Sequence, residues 1–142
     1  MDSNTFLIIA GHGLTPKISD LAVTNVFLEV SSTLAKHIQA ELLNRQVQAT
    51  IYEKSSADGP LAETIGQQLA VSRYSSIVII YVIYLENSAV AVDLHCHNLN
   101  YSDNGATVEG DINAQFDMTS KPEKTLTSVA SEYVQLLLNS SP

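Results

Sequence analysis

The feature that most restricts the fold is a change of hydrophobic period near the start of the chain. Phe6 to Ala10 reads Phe-Leu-Ile-Ile-Ala, an unbroken apolar run. A pleated strand points alternate side chains to opposite faces, so a run without polar residues is covered on both. Gly11-His12-Gly13 closes it with turn-forming residues. Between Leu21 and Asn44 the apolar positions become Val23, Val26, Phe27, Val30, Leu34, Ile38 and Leu42. That spacing is helical, and the stripe has to pack on a sheet. Val47, Ala49 and Ile51 then alternate with polar residues, as a second strand does. Strand, helix and strand in this order make a βαβ unit, which normally pairs its strands in parallel through a right-handed crossover.

The rest of the chain extends this pattern. Ser55 to Pro60 is a loop, as is Leu14 to Asp20, and Leu61 to Tyr74 is expected to be a helix. Ile77 to Leu85 is rich in β-branched residues and favours a strand, with a buried helix as the alternative. Ala89 to His95 reads as a strand ending in the polar Cys96-His97-Asn98. Asn98 to Asn104 is expected to be a loop, and Ala106 to Glu109 a short strand. Pro122 opens a last helix with Ser120 as a nearby cap, and Leu126, Val129, Val134 and Leu137 form its buried stripe. No repeat or linker divides residues 1–142. The expectation is one α/β domain, with a mostly parallel twisted sheet flanked by helices on both faces.

Charge and composition narrow the function. The net charge is −8, from 7 Lys and Arg against 15 Asp and Glu. Phosphate backbones are bound by clustered cations, and no such cluster exists here, so nucleic acid is not an expected partner. A single cysteine, Cys96, excludes an internal disulfide and a thiolate metal cluster. No basic leader precedes an apolar segment, and no apolar run reaches the roughly 18 residues of a membrane helix. The chain is therefore expected to be made in the cytoplasm, without membrane insertion. Its oligomeric state is open.

In open α/β sheets ligands bind beyond the carboxyl ends of the strands. His12 follows the first strand, and His95 ends a later one. Parallel neighbouring strands would bring both imidazoles to one crevice. Glu29 sits beside the helical stripe, where an isolated carboxylate is costly unless paired or metal-bound. A catalytic zinc takes three protein ligands and keeps one position for water. Each residue taken alone has a plainer reading. A histidine at a strand end is usually structural, and a glutamate early in a helix serves its dipole. His97 reads as an outer-shell or surface group, His37 as a solvated histidine and Cys96 as a small buried hydrophobe.

Their combination resembles the zinc-dependent N-acetylmuramoyl-L-alanine amidases, the type 3 peptidoglycan hydrolases. The likeness runs from Ile8-Ile9-Ala10-Gly11-His12-Gly13, through Val26-Phe27-Leu28-Glu29-Val30, to Asp93-Leu94-His95-Cys96-His97-Asn98. It implies His12, Glu29 and His95 as ligands of a Zn2+ ion. Ala106-Thr107-Val108-Glu109-Gly110 is similar to the stretch that carries the family's catalytic glutamate, which implies Glu109 as the acid/base, with Asp111 and Asp93 as alternatives. The implied reaction is cleavage of the amide between muramic acid and the stem-peptide L-alanine, with peptidoglycan or a muropeptide as partner. Lacking an export signal, such an enzyme would act at the cell wall as phage lysis enzymes do. Two other readings stand beside it: a zinc amidase or carboxypeptidase of different substrate, and a non-catalytic relative that binds or builds.

Overall fold

The computed structural model describes residues 5–16, 20–84, 90–118 and 125–139. These residues form strands β1 (Thr5–Gly11), β2 (Gln48–Lys54), β3 (Ser76–Tyr84), β4 (Val90–Ser102) and β5 (Gly105–Asp117), and helices α1 (Leu21–Asn44), α2 (Leu61–Val71) and α3 (Leu126–Asn139). The expected helix from Ser120 and Pro122 begins outside the described residues. So do the ends expected at Leu85 and Ala89 and part of the loop before Asp20.

The first half of the fold follows the sequence closely. β1 pairs in parallel with β2, Phe6 opposite Ala49 and Ile8 opposite Ile51, and with β3, Phe6 opposite Ser76 and Ile8 opposite Val78. The Asp20 side chain caps α1 by accepting from the Ala22 and Val23 amides at 3.0 and 3.4 Å. α1 ends at Asn44, and Gln46 turns the chain away at a left-handed φ of 63°. α3 starts with a reciprocal cap. The Ser128 amide donates to the Thr125 hydroxyl at 3.1 Å, and the Thr125 amide donates to the Ser128 hydroxyl at 3.2 Å.

The second half corrects the expectation of a mostly parallel sheet. The strand order is β2-β1-β3-β4-β5, and β3 to β4 and β4 to β5 are antiparallel. The sheet is mixed, for two local reasons. From Tyr84 to Val90 the chain is too short for a parallel crossover, which takes a dozen or more residues. Asp103 and Asn104 then form a tight turn into Gly105, which adopts φ +113°. The segment expected as a loop is therefore the end of β4, and the short expected strand is the start of the thirteen-residue β5. His95 lies in the middle of its strand, between Ile79 and Asn113, and not at an end.

Two apolar layers hold the sheet. On one face α1 and α3 cover Phe6, Ile8 and Ala10 of β1, Val78, Ile80 and Val82 of β3, and Val92, Leu94 and Cys96 of β4. Burying each large aliphatic side chain contributes about 1.5–3 kcal/mol. Val26, counted in the α1 stripe, is 55% exposed and lies off the contact. Tyr133 of α3 is fully buried, and its hydroxyl donates to the Ile112 carbonyl at 2.9 Å, tying α3 to the edge strand. On the other face Leu7, Ile9, Ile77 and Ile79 pack with Leu61, Ile65 and Leu69 of the shorter α2. Farther along that face Asp93, His95 and His97 of β4 are half-buried, and Asp111, Asn113 and Gln115 of β5 are exposed. The two faces thus carry unequal helical cover.

Candidate functional site

The chain leaving β1 enters α1 on one face, and the chain leaving β2 enters α2, which packs with the other. In open α/β sheets ligands bind in a crevice outside the carboxyl ends of the strands. Gly11, His12, Leu28, Glu29, Ser32, Glu53, Lys54 and Ser55 line one of about 380 Å³. His12 and Glu29, two residues singled out from the sequence, meet here.

The Gly-His-Gly motif owes its form to Lys54. The His12 amide donates to the Lys54 carbonyl at 2.9 Å and extends the strand pairing by one residue. Gly11 sits at φ +116°, and a Cβ on it would lie 2.5 Å from the Lys54 carbonyl oxygen. Gly13 sits at φ +84°, and a Cβ there would lie 3.1 Å from the Lys54 ammonium nitrogen. Both positions favour glycine for conformation and for space. Lys54 itself is 8% exposed. Among the described residues its ammonium has no hydrogen-bond or ion-pair partner. Its charge reaches Asp58, whose carboxyl is held below the usual range by the Ser55 amide first, then by the Tyr52 hydroxyl, with Lys54 contributing less. The outer wall is acidic: Glu29 and Glu53 are exposed, and the Ser32 hydroxyl donates to Glu53. Sequence reading missed Lys54, because a single lysine closing an amphipathic strand looks solvated.

His95 lies elsewhere. β4 sends Val92, Leu94 and Cys96 into the α1/α3 layer, so Asp93, His95 and His97 face the opposite side of the sheet. There His95 Nε2–H donates to Asp93 at 3.0 Å, and His97 Nδ1–H donates to Asp111 of β5 at 2.6 Å. Tyr81 meets the His95 ring edge-on, with centroids 5.2 Å apart. The His95 and His97 rings are 6.4 Å apart. His12, Glu29 and His95 therefore do not share one site. Among the described residues no three His, Cys, Asp or Glu side chains gather as a metal-holding group.

Glu109 occupies a third place. Asn98 pairs with Gly110 and Leu99 with Val108, which leaves Glu109 as the extra residue of a β-bulge. It lines a cavity of about 430 Å³ with Ser75, Ser76, Cys96, Asn98 and Leu137. That cavity opens at the starting ends of β1 and β3, whereas His12 lies past the finishing end of β1. The seven residues of β1 put those ends roughly 20 Å apart. Burial pushes the Cys96 thiol up to about 12. Asp93 and Asp111, the alternative acid/base residues, sit with the two histidines of β4.

No family model matches the sequence, and no curated protein does. Among solved structures the chain is similar to the PelC dodecamer from Paraburkholderia phytofirmans, at 11% identity over 96% of this chain and 86% of that one, with a TM-score of 0.47. It is also similar to lipoprotein GNA1162 from Neisseria meningitidis, at 12% identity over 96% and 99% of the two chains and a TM-score of 0.40. The hypothetical protein CT253 from Chlamydia trachomatis matches at 7% identity over 97% and 95%, with a TM-score of 0.41. No described helix is long and apolar enough to cross a membrane.

Proposed function

We propose that this protein is a ligand-binding α/β domain that holds a small zwitterion, of the amino-acid or short-peptide kind, in the crevice where β1 and β2 end. Lys54 carries the reading. Its side chain is largely enclosed while its ammonium still reaches solvent, and it lines the crevice with no carboxylate in ion-pair range among the described residues. An anionic group of the ligand would answer the ammonium. Glu29 and Glu53 at the rim would answer a cationic group, and they disfavour a ligand that is anionic throughout.

The test is an amide NMR titration with free amino acids and dipeptides at millimolar concentration. The Gly11 and Gly13 signals should shift saturably in the wild type and stay still in Lys54→Met. Wild-type signals that do not move, or that move equally in the variant, refute the reading.

A second reading is the zinc amide hydrolase implied by the resemblance, acting on peptidoglycan or another amide. The presence of His12 and Glu29 at one crevice favours it. In that reading zinc would supply a water acidified toward ~7. The crevice offers two of the three family ligands, so the residues present do not fit a complete site. Zinc content that falls in His12→Ala and Glu29→Ala, together with release of L-alanyl peptides from peptidoglycan, would favour the hydrolase over the zwitterion-binding domain.

A further inference from the structure

We propose that His95 and His97 form a transition-metal site on the open face of β4, separate from the crevice and independent of what the crevice binds. The two residues are two positions apart in a strand, so both imidazoles leave the same face. Each ring donates one N–H to a carboxylate: His95 Nε2 to Asp93, His97 Nδ1 to Asp111. An ionised carboxylate only accepts, so these bonds select the tautomer of each neutral ring. The lone pair then sits on Nδ1 of His95 and on Nε2 of His97. A carboxylate behind each imidazole, leaving the other nitrogen free, is the outer-shell arrangement that orients metal-bound histidines and raises their basicity.

The rings are 6.4 Å apart at their centroids and tilted by 39°. Both side chains are somewhat more than one-quarter exposed, so an ion can reach them from solvent, and the proposal requires the rings to turn until the free nitrogens share it. Two imidazoles suit Zn2+, Cu2+ or Ni2+ over Ca2+ or Mg2+. With two protein ligands, water completes the coordination. Tyr81 packs edge-on against His95 and limits its swing. Cys96 lies between the two histidines in sequence, but it points into the buried layer and is not a ligand.

The experiment uses the untagged full chain with ZnCl2 and NiCl2, followed by isothermal titration calorimetry. One ion per chain is expected for the wild type. His97→Ala and His95→Ala should lose the saturable heat. Asp93→Asn and Asp111→Asn should weaken binding roughly 10–100-fold, as removal of orienting carboxylates does. His12→Ala should bind as the wild type does. Circular dichroism of each variant checks the fold, and the conservative asparagine variants keep the test decisive if an alanine variant unfolds. Copper-loaded protein should show two equivalent-class nitrogen couplings by electron paramagnetic resonance. Binding that survives in the His95→Ala/His97→Ala double variant overturns the proposal. So does binding that is lost in His12→Ala alone, which would move the metal to the crevice.

Discussion

Gly11 and Gly105 allow a clean separation of backbone strain from steric contact. Both adopt nearly the same positive φ, +116° and +113°. A side chain at Gly11 meets the Lys54 carbonyl oxygen at 2.5 Å, whereas one at Gly105 meets nothing within 4 Å. Gly105→Ala should therefore cost only the conformational term, about 1–3 kcal/mol. Gly11→Ala should cost that term plus the displacement of β2 backbone, a further ~1–3 kcal/mol by analogy with overpacked sites. Backbone cannot swing aside as a lysine tip can, so the second term is not relieved cheaply. It also strains the bond from the His12 amide to Lys54, which closes the crevice. Urea unfolding of the two variants gives the difference directly, provided the slope with denaturant is unchanged. Gly11→Ala should be the less stable by at least 1 kcal/mol, roughly the lower bound of the overpacking range. Equal losses would refute the claim that the close approach of Lys54 dictates glycine before His12.

The Cys96 thiol, 1% exposed and with its pKa pushed up by burial, should ignore Ellman's reagent in the native state and react fully in urea; rapid native labelling would contradict its place in the core. Tyr133→Phe removes the bond to the Ile112 carbonyl and should destabilise the chain by about 1–2 kcal/mol, read by urea unfolding, and an unchanged midpoint would show that bond to be idle. Asp58 is held below the ordinary carboxylate range, so its contribution is present above the unfolded pKa and is lost as pH falls through the lower folded value. Carboxyl NMR should place its midpoint below that of a model aspartate, and Tyr52→Phe should raise it toward the model value.

The local periods of the sequence were informative where each element answers to one neighbour. The apolar run from Phe6, the stripe from Val23 to Leu42 and the alternation at Val47, Ala49 and Ile51 each map onto β1, α1 and β2. Strand direction in the second half is set by connection length and not by hydrophobic period. A short step from Tyr84 to Val90 and the Asp103-Asn104-Gly105 turn both specify hairpins. Outward Asp111, Asn113 and Gln115 alternating with inward Ile112, Ala114 and Phe116 mark a long strand. Once β4 is antiparallel, His95 moves from a strand end to mid-strand, and the face it points to depends on register alone. A one-residue difference in pairing exchanges the faces, and nothing in the spacing of His12, Glu29 and His95 records that. The meeting of His12 with Glu29 was readable, because both belong to the same βαβ unit. Lys54 was not, since the turn that lies against it, at Gly11 and Gly13, is some forty residues earlier in the chain and carries no side chain to announce it.

The central position of β1 has a consequence for synthesis. Its partners β2 and β3 lie far downstream, and the Ser75 hydroxyl that donates to the Thr5 carbonyl is 70 residues away. A nascent chain therefore carries Phe-Leu-Ile-Ile-Ala out of the ribosome long before either flank exists. The β4–β5 hairpin, by contrast, closes through its own turn within microseconds of emerging. The strand made first waits for its second flank until β3 has emerged, and during that wait it is the segment a chaperone would grip or a neighbouring chain would capture.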